Sequence, residues 1–183
     1  IPLEDAQSHV MKNIKTLKDE NVHLLQGRNR AITEPILSNE SIPPFDNTAV
    51  DGYAVKAIDT KGATQETPIS LTVLETIAAG KPPTFAIQSG ECSKIMTGAP
   101  IPDGADAVVM VERTEQQENG SVVAIEEEVS KGQHIRRSGE DLEPGDLVIP
   151  QGTILNAAHL GLLASLGIYQ ITTVRTPTVG VFS

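Results

Sequence analysis

Three short segments of the chain carry side chains that could bind an anion or transfer a proton. In the first, two prolines precede Asp46 and Asn47, and Asp51-Gly52 leads into an apolar stretch. Proline restricts the backbone, and Asp and Asn side chains close turns through hydrogen bonds to nearby backbone groups. We therefore expect a shaped acidic loop organised by Asp46 and Asn47, with Asp51-Gly52 at a position that tolerates positive φ. An ordinary solvated turn has the same composition, so the loop alone does not establish a site.

The second segment is the turn Thr97-Gly98-Ala99-Pro100, which lies between two apolar runs. Its hydroxyl and backbone N–H groups could receive a phosphate or another oxyanion. On the residues alone, it is equally consistent that Thr97 does no more than close the turn.

The third segment, Arg136-Arg137-Ser138-Gly139-Glu140-Asp141, combines adjacent arginines with carboxylates on a glycine-containing loop. Guanidinium groups bind phosphate and similar oxyanions through paired hydrogen bonds, and Asp141 could orient an arginine or accept a proton. The alternative is an exposed ion pair between an arginine and Glu140 or Asp141, which would contribute about 0–1 kcal/mol to stability.

Asp46, Asp51 and Asp141 also allow a hydrolytic interpretation. Two of these carboxylates could form a pair in which the charge of one raises the pKa of the other. Their positions in the sequence do not establish how close they lie, so this alternative stays open.

Other catalytic chemistries find little support in the sequence. The four histidines show no metal-ligand spacing, and the single cysteine, Cys92, has no metal-ligand neighbour. We therefore expect no metal site among these residues and a buried thiol at Cys92. A lysine adjoins Gly62, Gly80 and Gly132, but none of these pairs has the glycine spacing of a phosphate-binding P-loop, so nucleotide hydrolysis within the chain is not expected.

Charge and composition restrict the partners. The chain has 24 acidic and 14 basic residues, a net charge of -10 that repels nucleic acid and anionic membranes. It has no apolar run of membrane-spanning length and no cysteine pair, which favours a cytoplasmic protein. The aromatic content of 3%, with no tryptophan, argues against stacking on the bases of a nucleic acid and favours an aliphatic core rich in β-structure.

The elements that position these segments are predicted to be mostly short strands. An apolar stripe formed by every third or fourth residue predicts one helix at the start of the chain, through Leu3, Ala6, Val10, Ile14 and Leu17. Asn156 is expected to cap a second helix that runs to Leu166 and stops at Gly167. One strand is expected to start at residue 147, and others are expected at residues 51–58, 69–77, 92–96, 105–111, 121–125, 126–129 and 168–175. The strands at 51–58 and 69–77 are expected to form a hairpin-like pair, and the whole set favours a compact barrel or sandwich.

Four ordered motifs carry a resemblance to a known family. They are Pro43 to Val55, Ala78 to Pro83, Ile95 to Val109 and Ile135 to Leu142. The first resembles the signature of the MoeA family, the molybdopterin molybdenumtransferases to which the gephyrin E domain belongs. It departs from the pattern P-P-F-D-N-S-A-M-D-G-Y-A mainly at Thr48 and Val50, and the resemblance covers nearly the whole chain.

The resemblance implies a mainly β fold with a few helices. It implies an elongated strand-and-helix dimerisation part formed by residues 1–47 and 135–175, with an inserted β-barrel-like subdomain at residues 48–134. Residues 176–183 would be the first strand of a pterin- and nucleotide-binding domain that is otherwise missing. On this interpretation the chain is the N-terminal region of a longer protein.

The resemblance also implies a function in molybdenum cofactor biosynthesis. The family's complete enzyme inserts molybdate into adenylylated molybdopterin, which an adenylyltransferase supplies, and Mg²⁺ is an expected cofactor. Site residues carry over at matching positions: Asp51, Thr97 and Asp141 as catalytic residues, Arg137 and Arg136 as anion contacts, and Asp46 and Asn47 as loop organisers. Most of the substrate would be bound by the missing domain, so the chain alone is expected to be an inactive homodimer that holds no ligand tightly. A noncatalytic, gephyrin-like scaffold is the alternative.

Overall fold

A computed structural model describes residues 1–181, which fall into two compact units. One unit is continuous and comprises Ser41–Glu143; the other is discontinuous and joins Ile1–Glu40 to the segment that begins at Pro144. The predicted mainly β fold with a few helices is confirmed. The dimerisation role assigned to residues 1–47 and 135–175, and the limits of the inserted part at 48–134, stay predictions.

Two α-helices and twelve strands make up the regular structure of residues 1–181. In chain order they are α1 (Leu3–Asn13), β1 (Asp19–His23), β2 (Ile36–Leu37), β3 (Asn47–Thr48), β4 (Gly52–Val55), β5 (Ile69–Ile77), β6 (Glu91–Ile95), β7 (Ala107–Met110), β8 (Thr114–Gln117), β9 (Val122–Ile125), β10 (Ile135–Arg136), β11 (Leu147–Ile149), α2 (Ala157–Ser165) and β12 (Gln170–Val174). Short 3₁₀ turns occupy Leu24–Gln26, Ala57–Thr60, Val111–Arg113 and Glu118–Gly120.

The discontinuous unit is built from two antiparallel strand pairs, β1 with β12 and β2 with β11. Its core consists of aliphatic side chains from both ends of the chain, namely Leu24, Ile32, Ile149, Leu155, Leu163 and Ile171. The predicted cap of α2 is confirmed, since Asn156 Oδ1 accepts from His159 N at 3.0 Å and Gly167 follows the helix with φ of 70°.

The first helix is shorter than its apolar stripe predicts. It ends at Asn13, and Ile14 has extended backbone angles, so Ile14 and Leu17 lie beyond it. The prediction failed because spacing alone does not mark a helix end where no glycine or proline follows. No residue of α1 is buried, and Leu3, Val10 and Met11 are more than half exposed.

The continuous unit contains a six-stranded sheet that curls into a half-barrel, with strand order β7-β4-β6-β5-β9-β8. Each neighbouring pair is antiparallel except β5 and β6, which are parallel. The predicted hairpin between β4 and β5 is wrong, because β6 lies between them. The turn residues between the two strands predict a direct reversal. The structure instead has a 3₁₀ turn at residues 57–60, and β5 then pairs with β6 and not with β4.

Strand β4 is buried on both faces and leads directly out of the acidic loop. Tyr53 and Val55 pack in one hydrophobic cluster and Ala54 in another, as the two-residue period of a strand requires. Tyr53 is fully buried, and its hydroxyl accepts a hydrogen bond from Gln116 Nε2 at 2.8 Å. Cys92 lies in the same cluster as Tyr53, and burial raises the pKa of its thiol to about 12, so the predicted buried thiol is confirmed.

Gly52 serves a different purpose from the one predicted. Its φ is not among the positive values, but a Cβ at this position would lie 2.0 Å from the carbonyl oxygen of Val109 on β7. Glycine is therefore needed for close approach of β4 and β7 and not for a left-handed turn.

Sequence patterning missed the polar strands β1 and β8 and the two-residue strands β3 and β10, and it proposed one strand that is not present. Strands β1 and β8 are polar, with exposed or partly exposed residues, so they lack the apolar alternation that marks a half-buried strand. The strand predicted at 126–129 is absent, because this acidic stretch leaves the sheet after β9.

Residues 176–181 carry no regular structure, and 182–183 lie outside the described residues. The strand expected at 176–183 therefore stays a prediction. No helix within residues 1–181 has both the length and the apolar character needed to cross a membrane.

The close approach at Gly52 predicts a large cost for Gly52→Ala. The added methyl would meet the Val109 carbonyl at 2.0 Å, so we expect the free energy of unfolding to fall by about 2 kcal/mol or more. Urea unfolding measures the change. Gly161→Ala is the control: nothing lies within 4 Å of its Cβ and it sits inside α2, so stability should rise by about 0.5–1 kcal/mol. Equal midpoints for Gly52→Ala and the unsubstituted chain would contradict the interpretation.

Candidate functional site

The segment Asp46–Asp51 holds two loops of the continuous unit through its backbone. Towards the first loop, Thr48 N donates to Ala99 O at 3.1 Å and Gly98 N donates to Thr48 O at 2.9 Å. Towards the second, Ala49 N donates to His134 O at 3.0 Å. Strand β3 also pairs with β10, with Asn47 opposite Arg136. The three segments that the sequence singles out are therefore joined in one structure.

Thr48 is the buried centre of this arrangement. Its hydroxyl donates to Val50 O at 2.6 Å and accepts from Val50 N at 3.1 Å, which closes a turn just before Asp51. In the sequence, Thr48 stood out only as a departure from the family pattern, which has serine at this position. Its hydroxyl satisfies a buried backbone pair, a role that either Ser or Thr can fill.

Asp51 and Thr97 form a direct contact. Asp51 Oδ1 accepts hydrogen bonds from Thr97 N and from Thr97 Oγ1, each at 2.7 Å. The Thr97 N–H, then its hydroxyl, and further the Lys94 ammonium hold the pKa of Asp51 below its ordinary value of 3.8. Asp51 is therefore an ionised, oriented carboxylate at neutral pH, and within residues 1–181 its Oδ2 accepts no hydrogen bond.

The turn at Thr97 does not present free N–H groups to an external oxyanion. Thr97 N donates to Asp51, Gly98 N to Thr48 O, and Ala99 N to Met96 O. The oxyanion that this turn receives is thus a carboxylate of its own chain. The residue types indicated correctly that an oxyanion would bind, but not which one.

Asp46 holds the loop that carries the arginines. Its Oδ1 accepts from Ser138 N at 2.8 Å, and its Oδ2 forms an ion pair with Arg137 Nη1. The Ser138 N–H and then the Arg137 guanidinium lower the pKa of Asp46. The ion pair alternative considered for Arg137 therefore exists, but its acid is Asp46 and not Glu140 or Asp141.

Arg136 is held separately from its neighbour. Its Nε donates to Oδ1 of the buried Asn47 at 3.0 Å. Each arginine thus uses one of its donor nitrogens in a contact within the unit. Because a guanidinium has five N–H donors in a planar fork, both side chains keep donors for an oxyanion.

Asp141 stands apart from the other candidates. Its backbone N donates to Ile42 O at 2.8 Å, which closes the loop, whereas its exposed side chain makes no hydrogen bond within residues 1–181. The structure gives no contact between Asp141 and Asp51, Thr97 or Arg137. Its assignment as a catalytic residue stays a prediction.

The candidates therefore form two polar pairs at the ends of one segment. Asp46 with Arg137 lies at one end and Asp51 with Thr97 at the other, and five residues of chain span at most about 18 Å. A carboxylate pair for hydrolysis needs one acid with a raised pKa, but the pKa values of Asp46 and Asp51 are both lowered. This observation argues against Asp46 and Asp51 as such a pair.

Lys94 is a residue that sequence reasoning missed. It lies on β6 and its charge contributes to the lowered pKa of Asp51. The missing signal is the register of β6 beside β4, which spacing along the chain does not contain. Among residues 1–181, no three His, Cys, Asp or Glu side chains come together as a group that could hold a metal ion.

Comparison with known proteins gives a consistent match. The family model of the MoeA N-terminal region (domain I and II) matches residues 1–167. Molybdopterin molybdenumtransferase 2 of Mycobacterium tuberculosis is 39% identical over 183 residues, which is 99% of this chain and 44% of that protein. Molybdopterin molybdenumtransferase of Bacillus subtilis is 35% identical over 185 residues, covering 100% of this chain and 43% of that protein.

A solved structure shows the same fold. The crystal structure of the molybdopterin biosynthesis moeA protein from Pyrococcus horikoshii OT3 superimposes with a TM-score of 0.85 and 36% identity, covering 94% of this chain and 45% of that one. The chain thus spans less than half the length of the relatives that it matches.

The lowered pKa of Asp46 predicts an acid-dependent contribution to stability. A carboxyl whose pKa is lower when folded stabilises the fold above its unfolded value of 3.8, and the contribution is lost as pH falls through the folded pKa. Asp46→Asn should therefore reduce stability at neutral pH by about 1 kcal/mol or less, because the pair is exposed, and by progressively less below about pH 4. Urea unfolding across pH measures the difference, and Asp141→Asn, which removes no side-chain contact, should show none. A loss of stability on Asp46→Asn that stays constant with pH would contradict the lowered pKa of Asp46.

Proposed function

Because this chain belongs to the family of MoeA N-terminal regions, we propose that it forms the N-terminal part of a molybdopterin molybdenumtransferase. Such an enzyme inserts molybdate into adenylylated molybdopterin during molybdenum cofactor biosynthesis. The relatives' names support this activity, and their similarity extends over the whole of this chain. The observation that carries the proposal is the ionised carboxylate of Asp51, which Thr97 fixes at one oxygen.

Asp51 and Thr97 form one side of the reaction site on this proposal. Thr97 donates two hydrogen bonds to Oδ1 of Asp51, so the carboxylate is fixed before substrate binds, and Oδ2 is left to orient a water molecule or molybdate. Fixing a reacting group in advance reduces the reorganisation needed in the transition state. Cleavage of the adenylate develops negative charge on phosphoryl oxygens, and an acidic group alone cannot stabilise that charge.

The arginines meet this requirement. Arg137 keeps guanidinium donors beyond the one that binds Asp46, and Arg136 keeps donors beyond its contact with Asn47. Both can bind phosphate or molybdate oxygens through charge-assisted hydrogen bonds. Asp46 acts as the positioning residue for the Arg137 guanidinium, and Asn47 does so for the Arg136 guanidinium. Asp141 closes the loop and adds an acceptor beside it.

Mg²⁺ would fit here as an ion bound jointly by the protein and the substrate, and not as an ion enclosed by protein oxygens alone. Magnesium is commonly held by one or two carboxylates together with substrate phosphates. Asp51 Oδ2 is the oxygen in the cluster that can supply one such bond, and the ion would neutralise phosphate charge there.

Turnover is proposed to need the part of the relatives that lies outside their match to this chain. The chain spans 44% of the length of the Mycobacterium tuberculosis relative. The remaining length would supply most of the pterin and nucleotide contacts, and an adenylyltransferase in the same cytoplasmic pathway would supply the substrate. The isolated chain is therefore expected to bind substrate weakly and to release no product.

The proposed function predicts that Asp51→Asn inactivates the complete protein without unfolding it. The amide keeps an oxygen for Thr97 but removes the negative charge, so molybdenum insertion should fall by about 100-fold or more. Arg137→Ala should lower insertion similarly through the lost anion contact. Asp103→Asn is the matched control, an exposed acid of the same unit outside the cluster. Molybdenum bound to the pterin product is the measurement, and normal insertion by Asp51→Asn would overturn the proposal.

A homodimer is also proposed, and α1 supports it. This helix has no buried residue and presents Leu3, Val10 and Met11 to solvent. The same surface supports the scaffold alternative, in which association and not catalysis is the role of the chain.

Sedimentation equilibrium tests the association. We expect twice the chain mass of 19.4 kDa, and a shift to the single mass for Val10→Glu, which places a charge on the exposed apolar face. Ser8→Glu, on the opposite face of the same helix, is the control for added charge. A single-chain mass for the unsubstituted protein would contradict the proposal.

A further inference from the structure

A groove of about 390 Å³ in the continuous unit lies outside the two polar pairs. It is lined by Phe45, Gly80, Lys81, Pro82, Pro83 and Pro100. The surface is almost entirely apolar, and Lys81 is the one charged residue in the lining. This volume lies within the range of pockets that bind small organic ligands.

The groove is held in shape before any ligand binds. Glu75 Oε1, at the end of β5, accepts hydrogen bonds from Thr84 N at 2.8 Å and Phe85 N at 3.0 Å. Lys81 N donates to Ala78 O at 3.1 Å, and the adjacent prolines restrict the loop further. A fixed groove loses little conformational freedom when it binds a ligand.

The lining favours a flat ring over a peptide. Three of its six residues are prolines, which have no N–H group, so the groove offers few donors to an extended peptide backbone. Phe45 is 43% exposed, although aromatic residues make up only 3% of this chain. Phe and Pro rings form flat apolar surfaces against which a heterocycle can stack, and the Lys81 ammonium can pair with a phosphate.

The groove also connects covalently and through hydrogen bonds to the polar pairs. Phe45 directly precedes Asp46, which holds Arg137, and Pro100 forms a bridge with Asn47 three residues after Thr97. The groove therefore borders the segment that holds the arginine loop.

We propose that this groove is a subsite for a planar nitrogen heterocycle that carries a phosphate, with the ring against Phe45 and the prolines and the phosphate against Lys81. The inference rests on the proposed function, because adenylylated molybdopterin contains two such rings, a pterin and an adenine. The groove takes one of them, and Arg137 contacts the phosphates that continue from it.

Calorimetric titration of this chain with four probes tests the subsite. Neopterin monophosphate and AMP carry a ring and a phosphate, whereas neopterin and inorganic phosphate carry one feature each. We expect at least one of the ring phosphates to bind more tightly than either neopterin or inorganic phosphate. The tighter of neopterin monophosphate and AMP identifies the ring.

Variants then assign the contacts. Phe45→Ala should weaken the tighter ring phosphate about tenfold, and Lys81→Met should weaken it several-fold without affecting neopterin. Phe85→Ala is the matched control. Phe85 is 51% exposed and lies just after Lys81 and the two prolines of the groove, but it lines the neighbouring cleft. Because Phe45 and Phe85 are both exposed, neither substitution should unfold the chain.

Three results would overturn the subsite: equal binding of inorganic phosphate and the ring phosphates, equal effects of Phe45→Ala and Phe85→Ala, or Phe45-dependent binding of a proline-rich peptide without binding of either ring phosphate. The subsite and the proposed function can fail separately. Normal molybdenum insertion by Asp51→Asn refutes the function and leaves the groove measurements standing. Equal ring binding by Phe45→Ala and the unsubstituted chain refutes the groove alone.

Discussion

The hydrogen bonds of the segment Asp46–Asp51 are the constraint on which the polar surface of the continuous unit depends. Its backbone holds the Thr97 loop on one side and the arginine loop on the other, and the buried Thr48 lies between them. The side chains at the two ends then repeat the same connections, Asp46 to Arg137 and Asp51 to Thr97. Because each loop is held twice, the candidate residues keep their relative positions without a bound ligand.

This arrangement places most of the site's charge in internal contacts. N–H groups and cations of neighbouring segments stabilise the charged forms of both carboxylates and lower their pKa values. The pairs leave some hydrogen-bonding atoms available to a ligand, namely Oδ2 of Asp51 and the remaining guanidinium donors of Arg137. A substrate would therefore meet charges whose directions are already set, in a chain whose net charge of -10 would otherwise repel an anion.

Sequence reasoning was most successful where a structure depends on neighbours along the chain. The cap at Asn156, the stop at Gly167 and the strand Ile69–Ile77 follow from local patterns and are confirmed. The sequence also singled out the three segments that the structure joins, because turn-forming and charged residues cluster there. The contact of Asp51 with Thr97 joins residues 46 positions apart, and no local pattern contains it. The same limit explains Gly52, whose neighbour Val109 is brought close only by the pairing of β4 with β7.

The two-part sequence of the discontinuous unit affects how the chain folds during synthesis. Residues 41–143 are contiguous, so their six-stranded sheet can form once that stretch has left the ribosome. Strand β1 pairs with β12, which is synthesised about 150 residues later. At typical synthesis rates β1 remains without its partner for on the order of ten seconds. A molecular chaperone that binds exposed strands would therefore meet β1 on the nascent chain before its partner β12 exists.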